Sequence, residues 1–415
     1  MEGSLEFLYS LRNQGSKFGI ERMASLCQKL GNPQSAFPTV HVAGTNGKGS
    51  VCAMLDSIYR SSGYKVGLFT SPHLIDLGER IRVNGENLSF DSIQQWVDFI
   101  LPPSIRNQNR QPANLPSFFE LMTAIAFLEF RQQKVDLAII ETGLGGRLDS
   151  TNVLDPELSI ITSVGLDHCD MLGSEISDIA IEKAGIIKQK KPVLTGWLEK
   201  DAITEVVRIA KEKKAALYLM DDVKSRDFPD TNLAGVFQKR NAALAHRAAQ
   251  LLNPVFPVDE KEITEGLNAV HLPGRWQKIS YDPTIILDAC HNGQGAEVSA
   301  ELWDTLELGF DVWFAACGID RARDVLVPLS KYKPKITFFE LNQPRSCTES
   351  DYRQLSQEFS LSSKFATEKE IYELYRCIPI KSTLLVTGSI YLVGAVLQRN
   401  AGPNRHSGKN WQDHW

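Results

Sequence analysis

Hydrophobic residues along this chain come in short runs, separated by stretches where apolar positions recur at helical intervals. PTVHVAG (38–44), YKVGLFT (64–70), VDLAIIETG (135–143), ELSIITSVG (157–165) and KPVLTG (191–196) read as strands. Between them SVCAMLDSIYRSSG and SFFELMTAIAFLEFRQQ carry the spacing of amphipathic helices. This alternation predicts β-α units and a largely parallel sheet. A Pro-Gly turn near HLPGRWQKI (271–279) interrupts the series, and TIILDA (284–289), DVWFAACG (311–318), KITFFEL (335–341) and STLLVTG (382–388) begin a second one. The expected architecture is α/β, with a mostly parallel-sheet domain over 1–275 and a smaller α/β domain over 276–415, joined by a linker around 271–283. The closing GPNRHSGKNWQDHW reads as a polar tail.

At 415 residues the chain exceeds one ordinary domain. Hydrophobic residues at 43% and charged residues at 23% are globular values, so nothing argues for disorder. A net charge of −5 and a pI near 6.0 give no overall reason to bind nucleic acid or an anionic membrane, although a local basic pocket for a small anion is compatible with both. The start, MEGSLEFLYSLRNQG, lacks a basic segment followed by an apolar core, and no apolar run reaches the roughly 18 residues needed to span a bilayer. Seven scattered cysteines without C-x-x-C pairs indicate neither a disulfide framework nor a zinc site. A soluble, cytoplasmic, monomeric protein is the expectation.

HVAGTNGKGSV (41–51) places a glycine-rich loop between a predicted strand and a predicted helix. The usual phosphate loop, G-x-x-x-x-G-K-[ST], is not matched: Val42 stands where the first glycine belongs and Gly49 separates Lys48 from Ser50. The ingredients are nevertheless those of a phosphate cradle. Gly44, Gly47 and Gly49 allow close backbone approach, the helix start favours an anion, Lys48 supplies a point charge and Ser50 a hydroxyl. A nucleoside triphosphate, ATP, is the expected ligand. Three further groups fall at strand ends, where open α/β sheets collect their ligands: Ser71, Glu141 and His168. Together they offer a hydroxyl, a carboxylate and an imidazole to magnesium beside a triphosphate, although magnesium prefers oxygen and a hydrogen-bonded loop histidine is the plainer reading of His168.

The loop GTNGKGSV resembles the variant phosphate loop of the Mur ligase superfamily. KFGIERM, LFTSPHLIDLGERIRVNGE, SFFELMTAIAF, ETGLGGRLDSTN, GLDHCDMLG, IAIEKAGIIK, FQKRNAALA, LPGRW, LDACHN and VTGSIYLVG follow in the order of its folylpolyglutamate synthase/dihydrofolate synthase branch, over nearly the whole chain. The resemblance implies a P-loop-type domain with a second, Rossmann-like domain, and ATP contacts from Thr45, Asn46, Gly47, Lys48, Gly49, Ser50, Asn241, Arg275, Asp288 and His291. It implies two magnesium ions, with Ser71, Glu141 and His168 as ligands. Lys183, otherwise a solvated helix lysine, would be carbamylated and, with Lys48 and His168, catalytic.

Ser117, Phe118, Phe119, Glu120 and Leu148 fall where the family contacts pteroate. On their own terms Ser117 is a helix cap, and the two phenylalanines are core anchors or stacking faces. GERIRVNGE (78–86) is expected as a loop beside the same cleft. Ser389 and Tyr391 are candidates for holding the amino acid. LDACHNG departs from the family's D-G-A-H-N-P, which puts the local turn in question while Asp288, His291 and Asn292 are kept.

The implied reaction is ATP-driven addition of L-glutamate to a folate, and to dihydropteroate if both activities are present, through an acyl phosphate. One domain would hold ATP and folate and the other deliver glutamate. The alternatives are a Mur-type ligase of cell-wall precursors, for which no extra domain precedes the loop, and a nucleotide-binding regulator, which has no use for Ser71, Glu141, His168 and Lys183 together.

Overall fold

The computed structural model describes residues 4–11, 19–102, 104, 115–343 and 345–400, which excludes the polar tail and the first two residues of KFGIERM. The chain divides into two compact units. The first comprises the residues up to 72, 78–232 and 238–271, and the second 73–77, 233–237 and those from 272 onward.

The strands of the first unit are β1 Thr39–Ala43, β2 Val66–Phe69, β3 Ile81–Val83, β4 Glu86–Asn87, β5 Leu137–Glu141, β6 Leu158–Ile161, β7 Val193–Thr195 and β8 Leu217–Leu219. They form one sheet in the order β4-β3-β2-β5-β1-β6-β7-β8, parallel from β2 to β8, with β3 antiparallel to both β2 and β4. Central strands such as β1 and β5 are buried along their whole length. Helices cover both faces of such a sheet, which is why these strands read as continuous apolar runs instead of alternating ones. The order also sets the site. The chain leaves β1 toward β2 on one side, through the helix Lys48–Ser61, and leaves β6 toward β7 on the other. The carboxyl ends of β1 and β6 therefore flank a topological switch point, where open α/β sheets bind ligands.

GERIRVNGE, expected as a loop, is instead mostly a hairpin. Val83 pairs with Glu86 across Asn84 and Gly85, whose φ values of 53° and 88° give the two left-handed residues of a type I′ turn. Asn-Gly is the commonest sequence for that turn, so the signal was present in the letters.

The second unit adds β9 Gln277–Tyr281, β10 Thr284–Leu287, β11 Asp311–Phe314, β12 Lys335–Glu340, β13 Ser362–Thr367 and β14 Thr383–Thr387, in the order β13-β12-β11-β14-β10-β9. Only β9 runs antiparallel. Much of the expected linker is thus an edge strand of the second sheet. Two apolar clusters flank this sheet, one centred on Trp303, Phe314 and Phe338, the other on Trp313, Phe339 and Leu392.

Candidate active site

The glycine loop crosses from β1 to the helix Lys48–Ser61 over the end of β6. Gly47 caps that helix at φ 84°, and an added Cβ there would lie 2.6 Å from the Asn241 Oδ1. Only glycine tolerates both the left-handed backbone and the approach of Asn241. At Gly44 a Cβ would meet the Thr162 Oγ1 at 1.9 Å. The loop is therefore wedged between the end of β6 and the helix Val236–Leu252 that carries Asn241. Lys48 Nζ donates to the carbonyls of Gly44 (2.8 Å) and Thr45 (3.2 Å), so its charge sits over its own loop. Ser50 is buried in the first helical turn. A helix start leaves its first amides without intrahelical acceptors, and here they open where the lysine stands.

Glu141 ends β5, beside β1. Its Oε2 accepts the Ser71 backbone N–H at 3.0 Å, and its carboxyl oxygens lie 3.8 and 3.9 Å from where a Gly49 Cβ would be. The structure thus brings Ser71, Glu141 and the glycine loop to one sheet edge. His168 stands past the end of β6 with a left-handed backbone at φ 52°, its amide donating to the Asp167 carboxylate at 2.9 Å. Among the described residues no three His, Cys, Asp or Glu side chains converge into a metal cage. One carboxylate at the loop mouth with a serine beside it still fits magnesium, which takes few protein ligands and fills its sphere with phosphate and water oxygens.

Lys183 is 3% exposed in the helix Ile176–Ala184. Burial, then the charge of Lys48, pull its amine down to about 7 against the partial support of Asp167 and Glu182. The solvated-lysine reading is overturned: about half of this buried amine is neutral near pH 7, and the neutral form is the one that adds carbon dioxide. The segment ETGLGGRLDSTN packs on this helix, with Arg147 donating to both the carbonyl and the carboxylate of Glu182. Asp149 organises its turn by accepting the amides of Gly143 and Leu144, each at 2.9 Å, and the Thr151 hydroxyl. Leu148, next to it, is half-buried.

Ser117 and Glu120 form a reciprocal capping box at the start of the helix Phe118–Gln133, and Glu120 also pairs with Arg22 at 3.0 Å. Phe118 lies against Tyr9 at 6.0 Å with the Arg80 guanidinium 5.3 Å from its ring. Phe119 packs on Phe69 and on the backbone of Gly143, the residue two past Glu141. The aromatic pair and the end of β5 are therefore neighbours.

In the second unit Asp288 ends β10, buried, accepting from the Ser299 hydroxyl at 2.9 Å and from the amides of Trp276 and Cys290. Burial raises its pKa and the charge of Arg275 opposes that rise. Arg275 and His291 both reach the Ala289 carbonyl, at 3.4 and 2.9 Å. Asn292 caps the helix Gly293–Trp303 through the Gly295 amide, so the altered LDACHNG still makes a capped turn. Ser389 and Tyr391 are buried beside the end of β14, the Tyr391 amide donating to the Ser389 hydroxyl at 3.2 Å. Thr162 and Ser163, which grip the glycine loop from β6, had no place in the motif reading.

The Mur ligase middle domain family matches residues 42–249. The dihydrofolate synthase/folylpolyglutamate synthase of Bacillus subtilis is 34% identical, with 93% of this chain and 95% of that one covered. The folylpolyglutamate synthase of Lacticaseibacillus casei is 32% identical over 92% and 94%. The crystal structure of Mycobacterium tuberculosis folylpolyglutamate synthase complexed with ADP and AMPPCP superimposes with a TM-score of 0.84 at 25% identity, covering 97% of this chain and 99% of that one. With its glycine loop at the sheet switch point and Ser71 and Glu141 at the same sheet edge, this chain belongs to the folylpolyglutamate synthase/dihydrofolate synthase branch of the Mur ligases and is an ATP-dependent ligase.

Proposed function

We propose that the protein joins L-glutamate to the carboxylate of a folate at the expense of ATP. The observation that carries this reading is the meeting of the glycine loop, Lys48, Glu141 and buried Lys183 at one sheet edge, beside the aromatic pair Phe118 and Phe119. A carboxylate is a poor electrophile for an amine in water. Transfer of the terminal phosphoryl group to the folate carboxylate creates a leaving group, which the glutamate amine then displaces.

The protein's part is placement and charge. The loop amides and Lys48 hold the triphosphate, with Thr45, Asn46, Gly49, Ser50 and Asn241 around it. Arg275, Asp288 and His291 are the second unit's candidates for nucleotide contact. Ser71, Glu141 and His168 would hold magnesium, two ions in all, which when bound neutralises phosphate charge. A carbamate on Lys183 would add oxygens to the same centre. Phe118 and Phe119, with Leu148, would face the pterin, while Ser117 and Glu120 fix the helix start that presents them. Ser389 and Tyr391 would lie on the glutamate side.

Lys48→Ala tests the reading. Loss of one such electrostatic contact costs about 3–4 kcal/mol, roughly 10²–10³ in rate. ADP formation dependent on folate and glutamate should fall by at least that factor while the fold persists, and near-native turnover would overturn the assignment. The paired name of the Bacillus relative favours a second activity on dihydropteroate. Parallel assays with dihydropteroate and tetrahydrofolate, each with ATP, magnesium and glutamate, decide it.

A further inference from the structure

We propose that Ser163 is a positioning residue for the nucleotide, setting the direction of a loop peptide that it reaches from across the sheet. The Ser163 hydroxyl accepts the Asn46 amide proton at 2.9 Å and donates to the Asn46 carbonyl at 3.0 Å. The Thr162 hydroxyl donates to the same carbonyl at 2.6 Å. Both lone pairs of that oxygen are thereby engaged by hydroxyls at the end of β6. The Ser163 carbonyl takes the Thr45 amide at 2.9 Å, and Thr45 and Gly165 exchange a reciprocal pair of bonds at 3.1 and 3.0 Å.

The consequence follows from the planarity of the peptide. In the trans Asn46–Gly47 unit the C=O and N–H point in opposite directions, so a carbonyl held toward β6 turns the Gly47 N–H away from that strand. A peptide flipped the other way would present a carbonyl oxygen where phosphate oxygens must come. Gly47, at φ 84° and lacking a Cβ, has little of its own to resist such a flip. The clamp supplies that resistance before any nucleotide arrives, so binding need not spend its free energy on ordering the loop. The same segment runs on to Asp167 and His168, so loop and sheet edge are held in one register.

This inference rests on the ATP reading above, and its test separates the two. The dissociation constant of ADP with magnesium is measured by calorimetry on the full chain and on Ser163→Val and Ser163→Thr. Valine and threonine share one branched shape, larger than serine by a methyl group or its equivalent, and only threonine keeps the hydroxyl. Two net hydrogen bonds at about fivefold each predict weakening by roughly 25-fold in the valine variant. Threonine should return the affinity to within about twofold of native, and the folate KM should stay put. Native-like affinity in Ser163→Val, or failure of threonine to restore it, overturns the inference alone. Absence of ADP binding by the native chain removes the ATP reading and the inference together. Should Ser163→Val not fold, Thr162→Val against Thr162→Ser puts the same question to the second hydroxyl on that carbonyl, with the same outcomes.

Discussion

Lys183 and Lys48 share one electrostatic environment: burial first, and the Lys48 ammonium second, bring the Lys183 amine from its ordinary 10.5 to about 7. The folded chain therefore binds fewer protons than the unfolded one across that interval, and stability rises with pH through it. Below about pH 7 the penalty of a buried ammonium is present in full, each pKa unit being about 1.4 kcal/mol. In carbon-dioxide-free buffer without nucleotide, Lys183→Met should melt above the native protein at pH 6.5, by a margin that closes toward pH 10. Calorimetry at matched pH checks this, and a margin independent of pH would contradict it.

Gly47 answers to two constraints at once, a left-handed backbone and the Asn241 Oδ1 at 2.6 Å from any added Cβ. Gly47→Ala should lose about 1–2 kcal/mol from the backbone alone, and more from displacing Asn241. ATP KM should rise by an order of magnitude or more. In Gly47→Ala/Asn241→Ala the collision is relieved and the backbone strain is not, so recovery should be partial. Full recovery in the double variant would show that φ is of no account there.

At the start of the helix Phe118–Gln133 the cap and the ring presented beyond it carry separable roles. Ser117→Ala removes the cap acceptor and should cost about 1 kcal/mol of stability with little change in folate KM. Phe119→Ala should instead raise folate KM several-fold and leave ATP KM alone. Thermal melts and initial rates on both variants test the division, which fails if the two trade places.

The central strands of both units were legible because strands covered on both faces are short, mainly apolar runs, as in β1, β5 and β14. The strands passed over are those that break this rule. β13 is a half-exposed edge strand, SSKFAT, with little apolar content, and β8 has only three residues. β9 looked like a linker because it follows a Pro-Gly turn and carries polar residues on an exposed edge. Asn84-Gly85 was a readable hairpin signal left unread.

In the site, loop and strand-end residues could be named from motif and position. The drop in the Lys183 pKa could not, since it needs the packing that buries the amine. The Ser163 clamp was equally hidden, because it depends on β6 lying beside β1 although 117 positions separate Ser163 from Asn46.

The place of β1 between β5 and β6 has a bearing on protein engineering. A transplanted eleven-residue stretch, HVAGTNGKGSV, would arrive in a foreign scaffold without the carboxylate on one flank and the two hydroxyls on the other. On the ATP reading proposed above, holding a triphosphate would take three adjacent strands, and a donor fragment that omits either neighbour should bring the letters without the affinity.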